Sequence, residues 1–356
     1  RSSDEVIFSF PRHDDEKKGE RILTPSPLIV DFPQSELILP TYKSHRDLIH
    51  QAGQIESIED NKAPELDQAA LNGGTSVIKN QAACPFRAFA LHRLGAKGLE
   101  SPHTGLNAIE RGELVHGVLE QVWRELKTKN ELDAISDDKL KEKLSNSAKK
   151  VIERIQTKRA TKLSKRFTNI ENQRLVRLTY EWLDREKKRG DFRVKGIEVE
   201  GEINIGGLSL TTRLDRVDML NDGRLIIIDY KTGESKITTM CGERPDEPQL
   251  PLYLLASQSD AASAVVFAQV KTGKMKFKAL ARDSDLLPSV KADPEWEQLI
   301  VSWRTDLTRI AESFSKGDAK VSPKKYPETC RNCDLEPFCR ISERTEDAYV
   351  ESEDGA

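Results

Sequence analysis

Apolar residues recur at intervals of three and four along 76–94, 106–128, 136–163 and 169–189, the repeat that lays one stripe down an α-helix. After residue 190 the period shortens. Three runs rich in Ile, Val and Leu, at about 194–205, 208–219 and 224–230, read as strands. The joints between them, Gly206-Gly207 and Asn221-Asp222-Gly223, carry the residues that tight hairpin turns require. A helix is predicted at 247–258, a strand pair through Val265–Phe267 and Met275–Phe277 about the turn Thr272-Gly273, and a long helix at 294–316. Helices flanking a mixed sheet make an α/β fold. No internal repeat is present. Residues 1–72 have another character, polar and punctuated by proline, with 44–72 reading as a partly helical linker. The expected organisation is an N-terminal extension and linker (1–72), a folded domain (73–341) and an acidic flexible tail (342–356).

Composition narrows the class. Hydrophobic residues make up 37% of the 356 positions and charged residues 32%, enough apolar material for a core beneath an ionic surface. No apolar run approaches the ~20 residues that span a bilayer, so no membrane partner is expected and the chain reads as cytoplasmic. The net charge of −3 argues against nucleic-acid binding until it is mapped. Residues 141–190 hold sixteen Lys or Arg against six Asp or Glu, with Phe167, Tyr180 and Trp182 among them. Such a stretch can follow a nucleic-acid backbone, or it can be a solvated helix face.

The candidate chemistry lies on the strands. Asp215 sits in the segment Thr212–Asp218, and fourteen positions later the apolar run Leu225–Ile228 delivers Asp229, Tyr230 and Lys231. A hairpin at Asn221–Gly223 places the two aspartates on neighbouring strands. Paired carboxylates are what a hard divalent ion such as Mg²⁺ takes from a protein, with water and substrate phosphate completing the shell. Asp229 and Lys231, two apart, share a strand face, so an ammonium is expected beside the carboxylates, where it can orient water or offset charge. Asp and Lys at strand ends are also common surface residues; the pair gains meaning only from its company. Glu198 and Glu200, on the preceding strand, match no definite role.

That company is found on two helices. Residues Arg111–Glu120 form an amphipathic helix start bearing His116, and Gln249–Tyr253 opens a helix downstream of Lys231. Taken together, these segments resemble the PD-(D/E)XK nucleases of the RecB and AddB type, from bacterial helicase-nucleases that process double-strand breaks. The resemblance covers roughly 75–340. It implies a restriction-endonuclease-like core with helical insertions, and an Mg²⁺- or Mn²⁺-dependent exonuclease acting on DNA. It makes Asp215, Asp229 and His116 metal ligands with the backbone carbonyl of Tyr230, and Lys231 the catalytic lysine. It matches Gln249 and Tyr253 to a helix motif that supports the site and faces DNA. Segments near Val6–Pro11 and Thr24–Leu28 resemble the end of an AddB-like helicase half, and residue 1 is Arg; a preceding helicase-like region, or a helicase partner subunit, is therefore expected. The other readings are a catalytically silent nuclease fold that only binds DNA, and a zinc-stapled subunit that docks a helicase.

The cysteines form a second signature. Cys330, Cys333 and Cys339 cluster as C-x-x-C-x(5)-C, and Cys84, flanked by Gln81 and Phe86, is the expected fourth ligand, because Cys241 lies in a polar loop without comparable flanks. Four thiolates suit Zn²⁺ or a [4Fe-4S] cluster. One distant cysteine plus a C-terminal triplet resembles the iron-sulfur staple of AddB-type nucleases. Such a staple would tie the start of the domain to its end.

Overall fold

The strand Leu225–Lys231 is buried along six of its seven residues, and the architecture follows from having to cover both of its faces. In the computed structural model, which describes residues 6–10, 22–33, 43–53, 58, 60–66, 73–98, 103–159, 161–257 and 261–342, five strands form one sheet in the order β1-β2-β3-β4-β5. These are β1 (Phe192–Ile205), β2 (Leu208–Leu220), β3 (Leu225–Lys231), β4 (Ala262–Gln269) and β5 (Lys276–Ala281). All neighbours run antiparallel except β3 and β4, which are parallel. A parallel pair needs a crossover, and the helix Gln249–Ser257 between the two strands supplies it.

The helices are α1 (His45–Gln51), α2 (Ser76–Ala83), α3 (Pro85–Ala88), α4 (Ala108–Glu125), α5 (Lys129–Ala134), α6 (Asp137–Lys158), α7 (Lys165–Glu186), α8 (Gln249–Ser257), α9 (Trp296–Ser315) and α10 (Glu336–Cys339). On one face of the sheet Ile226, Ile228 and Tyr230 pack with α4, α6 and α7. On the other, Leu225, Ile227, Val265 and Phe267 pack with α2, α8 and α9. The mixed sheet flanked by helices is the α/β arrangement that the periodicity predicts.

The predicted helix over 76–94 is corrected: it is broken. Cys84 is extended (φ −165°, ψ 123°) between α2 and α3, and Phe89–Arg93 continue as a π-helical turn. Pro85, at the first position of α3, explains the break, since the residue before a proline is pushed out of the helical region. All three predicted hairpins form, the one at Thr272-Gly273 joining Gln269 to Lys276 across antiparallel β4 and β5. Gly206 and Gly207 take φ of 54° and 80°, and Ile205 pairs with Leu208 across them. Gly223 takes φ of 90° in a loop closed by Leu220 N–H donating to Arg224 O at 2.9 Å.

The chain divides into two compact units, 1–59 and 60–356. Within the first, α1 opens with Ser44 and Asp47 bonded reciprocally (Asp47 N to Ser44 Oγ 3.1 Å, Ser44 N to Asp47 Oδ2 3.3 Å), and Phe8 meets Phe32 at 5.7 Å between ring centres. Of the expected acidic tail, 343–356 lie outside the described residues. Among the described residues, no helix is long and apolar enough to cross a membrane.

An ionic knot lies in the apolar layer beneath α4. Arg216 (1% exposed) on β2 bonds Asp218 through Nε and Nη2, each at 2.6 Å, and Glu186 at the end of α7 through Nη1 at 3.0 Å. Arg189 reaches Glu186 at 2.6 Å and Asp218 at 2.7 Å. Arg216 Nη1 also donates to the Tyr230 hydroxyl at 3.0 Å. Trp123 and Phe192 cover the guanidinium groups, Arg216 lying 3.9 Å from the Trp123 ring centre and Arg189 4.0 Å from that of Phe192. Two cations and two anions balance, which is the condition for keeping them in a dry layer. Replacing Asp218 by Ala leaves a buried cation without its partner, and unfolding in urea is expected to show a loss of about 3–5 kcal/mol. A loss below about 1 kcal/mol, the range of surface pairs, would contradict this account of the knot.

Candidate active site

The ladder between β2 and β3 runs from Met219/Leu225 to Arg216/Ile228, and the site begins where it stops. Asp215 follows Arg216 along the register and Asp229 follows Ile228. Instead of continuing the ladder, Asp215 turns its carboxylate across the gap: Oδ2 accepts the Tyr230 backbone N–H at 2.7 Å. His116 on α4 approaches the same carboxylate, with Nδ1 at 3.3 Å from Oδ1 and 3.2 Å from Oδ2. Asn107 and Glu110 fix the start of that helix through a capping box, which holds the register of the turn carrying His116.

Asp229 and Lys231 share a face of β3, as their spacing predicts. Lys231 Nζ lies 2.9 Å from Asp229 Oδ2. The contact is an ion pair between a buried carboxylate and a partly buried ammonium. Burial, and then the neighbouring charge of Asp215, push the Asp229 carboxyl up to about 6. For Asp215 burial works the other way from its partners: the His116 hydrogen bond and charge prevail and lower it. Burial also disfavours the charged His116 ring, but Asp215 and then Asp229 raise it. Lys231 is likewise disfavoured by burial and raised by Asp229 and Glu247, so its ammonium stays protonated.

Glu247, just ahead of α8, belongs to the site, and no motif in the sequence points to it. Its Oε2 lies 3.2 Å from Lys231 Nζ, and its Oε1 lies 2.5 Å from Lys79 Nζ on α2. Lys231 is therefore held between two carboxylates. The one signal in the sequence is an acid placed directly before Pro248 and the start of a helix. Gln249 joins the site through Nε2, which donates to Arg213 O at 2.7 Å, and it lines the same cleft as His116 and Asp215. Tyr253, one turn on, packs against the apolar layer of α8 and α9 and does not line that cleft. Glu198 does line it, with Asp215 and His116, at a positive φ of 50° and paired with Arg213. Glu200, opposite Arg213 in the β1–β2 register, is not among the residues lining the cleft.

The donor set fits a hard divalent ion: two neighbouring carboxylates, Asp215 lining a cleft of about 540 Å³ and Asp229 buried beside it against Lys231. Mg²⁺ commonly takes one or two carboxylates and keeps water for the rest. Among the described residues, no three His, Cys, Asp or Glu side chains are already drawn to a common centre.

The cysteines assemble apart from the cleft. Cys84 caps α3 and Cys339 ends α10, and the rings of Phe86 and Phe338 beside them meet edge-on at 5.2 Å. Burial pushes the Cys330 thiol up to about 11, helped by the nearby Cys333, Cys84 and Cys339. Cys241 answers to burial and to Asp293 instead. Backbone bonds join the same regions: Phe86 N to Lys320 O at 3.0 Å and Lys324 N to Ala83 O at 2.8 Å. Arg244 adds bonds to the carbonyls of Ala82, Ala83 and Ser322. The four thiols are thus neighbours, without converging on a metal-binding centre among the described residues.

The chain has counterparts among known proteins. Of solved structures it is similar to SSO0001, at 14% identity over 74% of this chain and 94% of that one, with a TM-score of 0.28. It is also similar to a protein of Eubacterium rectale provisionally assigned as an exonuclease, at 11% identity over 73% of this chain and 86% of that one, with a TM-score of 0.37. Neither likeness bears on chemistry. The family model of the PD-(D/E)XK nuclease superfamily matches residues 75–340, a span holding the whole sheet, the Asp215–Asp229–Lys231 cluster and the four cysteines. The chain belongs to the PD-(D/E)XK nuclease superfamily.

Proposed function

We propose that this chain hydrolyses DNA phosphodiester bonds in a divalent-cation-dependent reaction, with Asp215 and Asp229 holding the cation. The observation that carries the reading is the pair Asp215 and Asp229: two neighbouring carboxylates where the β2–β3 ladder stops, Asp229 only 3% exposed and ion-paired with a protonated lysine. A bound Mg²⁺ or Mn²⁺ would neutralise charge on the phosphate and acidify an attacking water.

The chain's own residues supply the rest. Asp215 is aimed by the Tyr230 amide and by His116, which keep it ionised. Lys231 brings a fixed positive charge to the place where negative charge develops on the phosphate, and Glu247 restrains where that ammonium sits. His116 and the Tyr230 carbonyl complete the ligand set in the RecB/AddB-type resemblance. Gln249 faces the substrate side of the cleft, and Tyr253 anchors α8 from its apolar side. Exonuclease action, a role in double-strand break repair, a bacterial cytoplasmic setting and a helicase partner rest on the same resemblance.

The four thiols support a structural cluster. Cys84, Cys330, Cys333 and Cys339 would hold [4Fe-4S], with Zn²⁺ as the alternative for the same donor set. The cluster would add a covalent tie where backbone hydrogen bonds already join α3 to the segment 320–324.

With Mg²⁺ and end-labelled DNA, Asp229→Asn is expected to lower hydrolysis by at least about 10²-fold and to leave the melting temperature near that of the wild type. Equal cleavage by both proteins would refute the assignment. For the cysteines, Cys333→Ser is expected to remove stoichiometric iron and sulfide and to lower the melting temperature by roughly 5 °C or more. Zinc in place of iron in the wild type would select the alternative; unchanged metal content and melting in the variant would sink the staple.

A further inference from the structure

The sixteen cations of 141–190 are not equivalent once folded. Most of those with a partner are neutralised locally: Lys143 by Glu125, Arg159 by Glu110, Arg174 by Glu171, Lys187 by Asp137 and Lys188 by Asp184. Arg189 is sealed in the ionic knot. Arg154 and Lys158, on the exposed face at the end of α6, make no ion pair among the described residues, and they are the cations of this stretch that line the cleft with His116, Asp215 and Gln249.

Their placement is built into α4. Gly117, directly after His116, leaves a gap that α6 fills: a Cβ there would come within 2.8 Å of Val151 Cγ1 and 2.9 Å of Arg154 Nη2. The Arg154 guanidinium therefore rests on the backbone of the turn that presents His116. The cleft also contains acids. Glu120 and Glu198 are already paired, with Arg124 at 3.0 Å and with Arg213, and Glu113 lines the cleft as an exposed acid. A polyanion entering here meets Arg154 and Lys158 as the cations without a prior partner among the described residues. One turn apart, they are spaced by about 6 Å along the helix, a reach of one to two nucleotides at about 3.4 Å per nucleotide of a strand.

From this geometry we infer that Arg154 and Lys158 bind consecutive backbone phosphates of the nucleic acid beside the phosphate being cut, making α6 the wall along which the strand is held. The inference rests on the reading of the cleft as a nuclease site and names the residues that position its substrate. They are positioning residues: they touch phosphates that do not react.

Binding of a fluorescent single-stranded oligonucleotide and of its duplex is measured over a salt series, in full-length Asp229→Asn protein so that nothing is cleaved. Adding Arg154→Ala and Lys158→Ala together is expected to weaken binding about 10- to 100-fold and to flatten the slope of log affinity against log salt. On a single strand the flattening is about 0.7 for each phosphate that the protein no longer neutralises. Arg154→Lys should keep the slope. Lys149→Ala with Lys150→Ala, exposed on the same helix and outside the cleft, should leave it unchanged. In protein with Asp229 intact, the double variant should raise KM with kcat nearly constant. An unchanged slope, or an equal weakening by the Lys149 and Lys150 pair, overturns the inference while Asp229-dependent cleavage still stands. Wild-type protein that neither binds nor cleaves DNA overturns both.

Discussion

The site depends on how Tyr230 is held. Its side chain points into the layer beneath α4, where its hydroxyl takes a bond from the buried Arg216; its backbone amide is taken by Asp215. Alternation along β3 then leaves Asp229 and Lys231 no choice but the opposite face. Arg216 is itself locked by Glu186 and Asp218, so the end of α7 and the strands β2 and β3 share one set of charges. A slip of one residue would strand an arginine in an apolar layer and turn Asp229 and Lys231 to the other face of the sheet. The same knot that looks like a stability device is what fixes the register of the aspartates.

Around that register the site separates its charges by environment. Asp215 is surrounded by donors and kept ionised, whereas Asp229 is buried beside Asp215 and is pushed up to about 6. Lys231 lies between Asp229 and Glu247, which favours one position for a long flexible side chain. Such an arrangement suits an added positive charge beside the two aspartates. The coupling also runs through α4, because the turn that carries His116 carries Gly117, against which α6 packs.

Much of this is legible before folding. Strand periods, the Gly206-Gly207 and Asn221–Gly223 turns, and the two-residue spacing of Asp229 and Lys231 are local signals, and local geometry obeys them. The helix predicted over 76–94 breaks because apolar periodicity persists through Cys84-Pro85, where backbone sterics outrank pattern. Glu247 and the Arg216 knot stay hidden in the sequence for a different reason. Their partners are distant along the chain, as with Glu186 and Arg216, and ion pairing across elements leaves no periodic trace. The basic stretch 141–190 is visible as charge, but only packing separates Arg154 and Lys158 from cations that are neutralised by their neighbours. Tyr253 matches a motif by sequence, and the structure sets it in the apolar layer instead of along the cleft.

Everything proposed for the chemistry requires that Asp215 and Asp229, brought together by this register, form a divalent-cation site. Titration of metal-free protein with Mn²⁺, followed by electron paramagnetic resonance of the free ion, tests that without reference to activity. The predicted result is a saturable site in the wild type that Asp229→Asn abolishes while the protein stays folded. Equal Mn²⁺ uptake by the two proteins would contradict it.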